Sequence, residues 1–125
     1  MIAFISSAKY KPQDLILCSL SPYFAGDLAF TRKSIGEKNI KKYIGDRRMK
    51  DYENYDFDKL AIKIKSKTYI LYGTNEGPAL ERRINDAKKK INGCKLIEIK
   101  GAKHDISQEN YQEAVRELIT SNFYS

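Results

Sequence analysis

Two short loops hold the side chains of this sequence that could do chemistry together. Gly73-Thr-Asn-Glu-Gly77 carries the carboxylate Glu76, and Gly101-Ala-Lys-His-Asp105 carries His104, the only histidine. A carboxylate that accepts from one imidazole nitrogen fixes the ring's tautomer and leaves the other nitrogen free as a base. Taken singly, Glu76 reads as a helix-start carboxylate favoured by the helix dipole, and His104 as a surface histidine. Taken together, each just beyond a strand, they read as an acid and a base. Cys18 and Cys94 are separated thiols in or beside strand-like runs and read as reduced structural residues. One histidine and two scattered cysteines make no metal-ligand cluster, so neither metal nor cofactor is expected.

These loops need strands behind them. Leu15-Ile-Leu-Cys-Ser-Leu20 and Lys67-Thr-Tyr-Ile-Leu-Tyr-Gly73 are continuous apolar runs, the pattern of strands buried on both faces of a parallel sheet. Lys95 to Lys100 is a third strand, and its alternation of Ile97, Glu98, Ile99 and Lys100 suits a less covered position. Between the second and third strands, Pro78 opens a helix with Leu80, Ile84, Ala87 and Ile91 as its stripe. Lys88 to Lys90 favour its dipole, and Gly93 is a residue suited to stop it. Ser107 is the natural N-cap of a further helix, striped by Tyr111, Ala114, Val115, Leu118 and Ile119.

At the other end, Met1 to Tyr10 reads as a short helix whose Ile2, Phe4, Ile5 and Ala8 expect cover on more than one side; Pro12 stops it. From Tyr23 to Ile64 the pattern is irregular. Gly26, Gly36 and Gly45 punctuate it, with a helix expected around Lys38 to Ile44, and its length suits an excursion rather than a tight crossover. Strands alternating with helices give an α/β fold: a three-layer-type partial parallel sheet of about three strands with flanking helices. Ligands of such sheets bind beyond the C-terminal strand ends. Those ends are Ser19 to Phe24, Gly73 to Gly77 and Gly101 to Asp105.

Tyr-Gly-Thr-Asn-Glu-Gly-Pro, an amphipathic helix, a strand and then Gly-Ala-Lys-His resembles the last two strands of the α/β-hydrolase fold. In that family the acid follows the penultimate strand in a Gly-x-x-Asp context and the histidine follows the last in Gly-x-x-His. Glu76 falls on the acid position and His104 on the histidine position. Leu15 to Phe24 is similar to the family's next strand inward, including the Ser-Pro-Tyr-Phe ending, and Met1 to Tyr10 to the helix after the nucleophile elbow. The resemblance covers nearly the whole chain as one domain, 1–125. It divides into helix and first strand (1–24), a lid-like excursion (25–65), and the acid- and histidine-bearing part (66–125).

Two departures stand out. Glu replaces the commoner Asp, and the Gly-x-Ser-x-Gly elbow would lie before Met1. Ser6, Ser7, Ser19, Ser21 and Ser34 lack that strand–elbow–helix setting. The resemblance therefore implies the C-terminal half of a serine ester, thioester or amide hydrolase, inactive as an isolated chain. It also implies partners: a second copy, in a homodimer or larger oligomer, or a complementary N-terminal half. Tyr23 and Phe24 read as packing residues.

Composition leaves few other classes open. At 42% hydrophobic and 31% charged the chain is an ordinary soluble globular sequence. No apolar run approaches the about 18 residues of a membrane span, and Met1-Ile-Ala-Phe-Ile is no signal peptide, so a cytoplasmic location without membrane attachment is expected. The net charge of +7 is concentrated from Arg32 to Lys67, with twelve Lys/Arg against six Asp/Glu. Two alternatives to the hydrolase half stay open: a non-catalytic self-associating or partner-binding module, and, on this charge, a basic nucleic-acid-binding domain. Against it, no recognised nucleic-acid-binding frame is visible. Tyr43, Tyr52 and Tyr55 are spaced like a buried helical stripe rather than a stacking platform.

Overall fold

The computed structural model describes residues 1–123; Tyr124 and Ser125, the end of the expected domain, lie outside the described residues. Helix α1 (Ile2–Tyr10) leads into strand β1 (Asp14–Cys18). Four short helices follow: α2 (Leu28–Ile35), α3 (Glu37–Tyr43), α4 (Asp46–Tyr52) and α5 (Phe57–Ala61). Then come β2 (Lys67–Gly73), α6 (Pro78–Lys90), β3 (Lys95–Ile99) and α7 (Glu109–Phe123). The strands form one sheet in the order β1-β2-β3, and both pairings are parallel. In register, Leu17 stands beside Ile70 and Leu71 beside Ile97. The α/β class and the three-stranded parallel sheet expected from the sequence are what the structure has.

Alternation along the strands sorts the core into two layers. Leu15, Leu17 and Ile70 face α1, α5 and α6, where they meet Phe4, Ala8, Phe57, Ala61, Leu80 and Ile84. Phe4 anchors that layer, stacked on Phe57 at 4.8 Å and edge-on to Phe24 at 5.5 Å. Each such fully buried ring stabilises the fold by about 1.5–3 kcal/mol through burial alone. On the other face Tyr69, Leu71 and Ile99 pack against Tyr111 and Leu118 of α7. That face is covered less completely toward β1, where Ile16 is only half-buried and Cys18 is exposed.

The excursion is more ordered than its sequence pattern suggests. Gly36 and Gly45, with φ of 90° and 83°, break it into consecutive helices at positions where a side chain would be strained. Asp27, just before α2, is fully buried and meets Arg83 of α6, with Arg82 at 3.2 Å and the Phe24 N–H also donating to it. The Arg83 guanidinium lies 4.0 Å from the Phe57 ring centroid. This buried cluster ties the excursion to α6.

Three expectations are corrected. Tyr43 is 68% exposed, Tyr55 is exposed and Tyr52 half-buried, so these tyrosines are not a buried stripe. Tyr43 and Tyr52 end two short helices and Tyr55 follows the second, so no one helix carries the three; Tyr52 instead stacks on Tyr23 at 6.1 Å. Strand β1 ends at Cys18 rather than Leu20, because Ser19, at φ 64°, turns the chain out of line. Ser107 does not cap α7: its hydroxyl and N–H both donate to Asp105, and the helix begins at Glu109.

Candidate active site

The loops after β2 and β3 are stitched together by two backbone bonds and one to a threonine hydroxyl. The N–H groups of Thr74 and Asn75 donate to Ile99 and Ala102 at 3.2 and 2.9 Å. The Gly101 N–H donates to Thr74 Oγ1 at 2.7 Å. Gly73 allows this approach, since a β-carbon there would overlap the Ala102 carbonyl. Pro78 opens α6 immediately afterwards, so Glu76 is fixed between a strand end and a helix start.

Glu76 turns inward, its side chain 1% exposed, while that of His104 is 61% exposed. Oε2 accepts from the Gly73 N–H at 2.5 Å and from the Tyr111 hydroxyl at 2.8 Å. Oε1 lies 2.6 Å from His104 Nδ1. A carboxylate can only accept, so Nδ1 carries the proton of that bond and Nε2 holds the free lone pair. Among the described residues no hydrogen bond engages Nε2.

The electrostatics agree with this arrangement. Burial pushes the Glu76 carboxyl up, but bonds from His104, Gly73, Tyr111 and Ser19 outweigh it and hold the group below its ordinary value. The bond to Glu76 raises the His104 imidazole against the opposing pull of burial, with Asp105 adding to the rise. Burial, then the neighbouring Glu76 carboxylate, push the Tyr111 phenol far up, so it stays protonated as a donor.

Ser19 also reaches the pair. Its Oγ lies 3.3 Å from His104 Nδ1, and its positive φ follows a strand, as a nucleophile's can. It sits, however, on the nitrogen that the carboxylate occupies, and no helix begins at it. Ser19 belongs to the carboxylate's surroundings rather than to the free face of the imidazole.

Beside His104 is a recess of about 250 Å³, walled by Pro22, Tyr23, Ile35, Ala79 and Leu80. Thr31 holds one side of it in place by donating to the Pro22 carbonyl at 2.5 Å. A larger cleft of about 660 Å³ separates the excursion from α6 and does not include His104. Across that cleft Lys90 of α6 is bound to Asp58 at 2.5 Å, and within α6 it lies 3.6 Å from Asp86. Among the described residues no group of His, Cys, Asp and Glu could hold a metal ion, and no helix is long and apolar enough to cross a membrane.

The structure thus brings Glu76 and His104 together. It adds Tyr111 and Ser19, which the sequence reading placed in a helix stripe and set aside, respectively. The signal for Tyr111 was its type: a tyrosine on a buried stripe must find a partner for its hydroxyl.

No family model matches the chain, and no curated protein matches it. A solved structure does: an α/β-hydrolase enzyme from the metagenome of sediments from the lagoon of Mar Chica, Morocco. It superposes with a TM-score of 0.67 at 17% identity over 98% of this chain. The match spans 57% of that enzyme's length. The chain has an α/β-hydrolase-like fold.

Proposed function

We propose that the chain supplies the acid and the general base of a serine-hydrolase-type site acting on an ester, thioester or amide. Glu76 orients the imidazole, and His104 Nε2 takes the proton from an attacking hydroxyl and returns it to the leaving group. The observation that supports this reading is the 2.6 Å contact between Oε1 and Nδ1, with the opposite carboxylate oxygen already filled and Nε2 open. The apolar recess next to His104 suits a short acyl or alkyl group, since a cavity of about 150 Å³ already holds a benzene ring.

The proposed site takes its nucleophile from a segment outside these residues: Ser19 sits on the wrong nitrogen, Ser6 and Ser7 lie inside α1, Ser34 lies inside α2 although it lines the recess, and no helix begins at Ser21. The 125-residue chain by itself is then inactive. Purified, it should hydrolyse p-nitrophenyl acetate or butyrate no faster than its His104→Ala variant, and a fluorophosphonate should label no serine. Stoichiometric labelling of one serine would overturn this.

A second reading, self-association or pairing with a complementary half, is favoured by β1. Among the described residues one of its edges has no neighbouring strand, its Ile16 is half-buried, and Ile2 of the adjoining α1 is 82% exposed. Unpaired strand edges and exposed apolar surface favour association.

A further inference from the structure

We infer that Tyr111 is the positioning residue of the acid–base pair: its hydroxyl, delivered from α7, holds Glu76 Oε2 so that Oε1 faces His104. The inference rests on the acid–base reading above and adds a component from an element outside the two loops.

Tyr111 is fully buried in the first turn of α7. Its hydroxyl proton has two acceptors within reach: the Leu71 carbonyl at 3.4 Å and Glu76 Oε2 at 2.8 Å. The Leu71 carbonyl already accepts from the Ser19 N–H at 2.6 Å. The carboxylate is nearer and charged, so the proton goes to it. Glutamate has one more rotatable bond than aspartate, and one anchor would leave its carboxylate free to swing. The Gly73 N–H is one anchor; the Tyr111 hydroxyl is the second. With Oε2 filled from two directions, Oε1 is left for the ring.

The charged and titratable groups around the pair are few. Asp105 follows His104 in its loop, Ser19 adds its hydroxyl, and Cys18 stands near Tyr111 at the end of β1. None of these replaces a phenol anchored from α7.

Because His104 is the only histidine, its ring signals report the pair directly by NMR pH titration of the full chain. Three proteins decide the matter: wild type, Glu76→Gln and Tyr111→Phe. In Glu76→Gln the imidazole pKa should fall; if it does not, the acid–base pair itself is refuted. In Tyr111→Phe it should also fall, because the carboxylate is no longer aimed at Nδ1. An unchanged value alongside a lowered melting temperature would assign Tyr111 a packing role only. A raised value would mean that the phenol merely competes for the carboxylate. Either result overturns the inference while leaving the pair intact. Should Tyr111→Phe fail to fold, the wild-type Tyr111 hydroxyl proton decides instead. It should resist exchange and shift as Glu76 titrates, and a signal indifferent to that titration overturns the proposal.

Discussion

Gly73 and Ala102 approach so closely that a β-carbon on Gly73 would overlap the Ala102 carbonyl group and side chain. The loop carrying the acid and the loop carrying the histidine touch at this point, backbone against backbone. Gly73→Ala should therefore destabilise the fold by about 1–3 kcal/mol, the usual cost of overpacking. It should also lengthen the Glu76–His104 contact. Urea unfolding measures the first effect, and the His104 ring titration the second. Full stability with an unshifted ring would refute the close approach.

The acid–base pair has a pH signature. Glu76 has a depressed folded value, so its contribution is present above the ordinary carboxyl value of 4.5 and is lost as pH falls through the folded one. His104 has a raised folded value, so its contribution is full below 6.5 and is lost as pH rises through the folded one. The pair contributes most between those limits. The alkaline loss should be small, because solvent screens the exposed ring. Unfolding at a series of pH values should show both flanks in wild type and shallower ones in Glu76→Gln, where Asp105 still contributes to each.

Arg83→Met should cost about 3–5 kcal/mol, since it leaves the buried Asp27 with only the exposed guanidinium of Arg82 to offset its charge and the Phe24 N–H as a neutral donor. The double variant Asp27→Leu/Arg83→Met should be markedly less destabilised. Burial pushes the Asp27 carboxyl up while Arg83 pulls it down, so the single variant should also lose stability as pH rises through the carboxyl's titration. Thermal melts of the two variants test the coupling, and additive effects would contradict it.

Association through β1 should respond to charge. Ile16→Lys should convert any dimer to monomer in light scattering at micromolar concentration, while also lowering the unfolding free energy, because Ile16 packs against the core layer under α7. A wild type that is already monomeric would show that neither the open edge nor Ile2 of α1 is used.

The parts of the molecule visible in its sequence are those with strong local signals. β2 is an unbroken apolar run ended by glycine, and α6 has a proline at its start and a regular stripe, so both were readable almost to the residue. The excursion was not, since helices of five to eight residues are shorter than the window over which periodicity shows. Glu76 and His104 announced themselves by type and by the strands before them. Tyr111 did not, because the spacing that makes it a core residue is the same spacing that aims it at the carboxylate. Ser19 has a positive φ without being glycine, and nothing in its residue type marks that. Ser107 has the right type for a cap, but it lies in a turn folded onto the Asp105 carboxylate, to which its N–H and hydroxyl donate, and the helix begins only at Glu109.

Helix α7 is synthesised after both strands and both loops that bear the acid and the base. Until it docks, the second layer of the core is uncovered and Glu76 lacks its phenol. A nascent chain therefore holds both Glu76 and His104 before α7 delivers the hydroxyl that bonds Glu76. On the inference drawn above for Tyr111, alignment waits for α7, and the imidazole is tuned only in molecules in which that helix has found its place on the sheet.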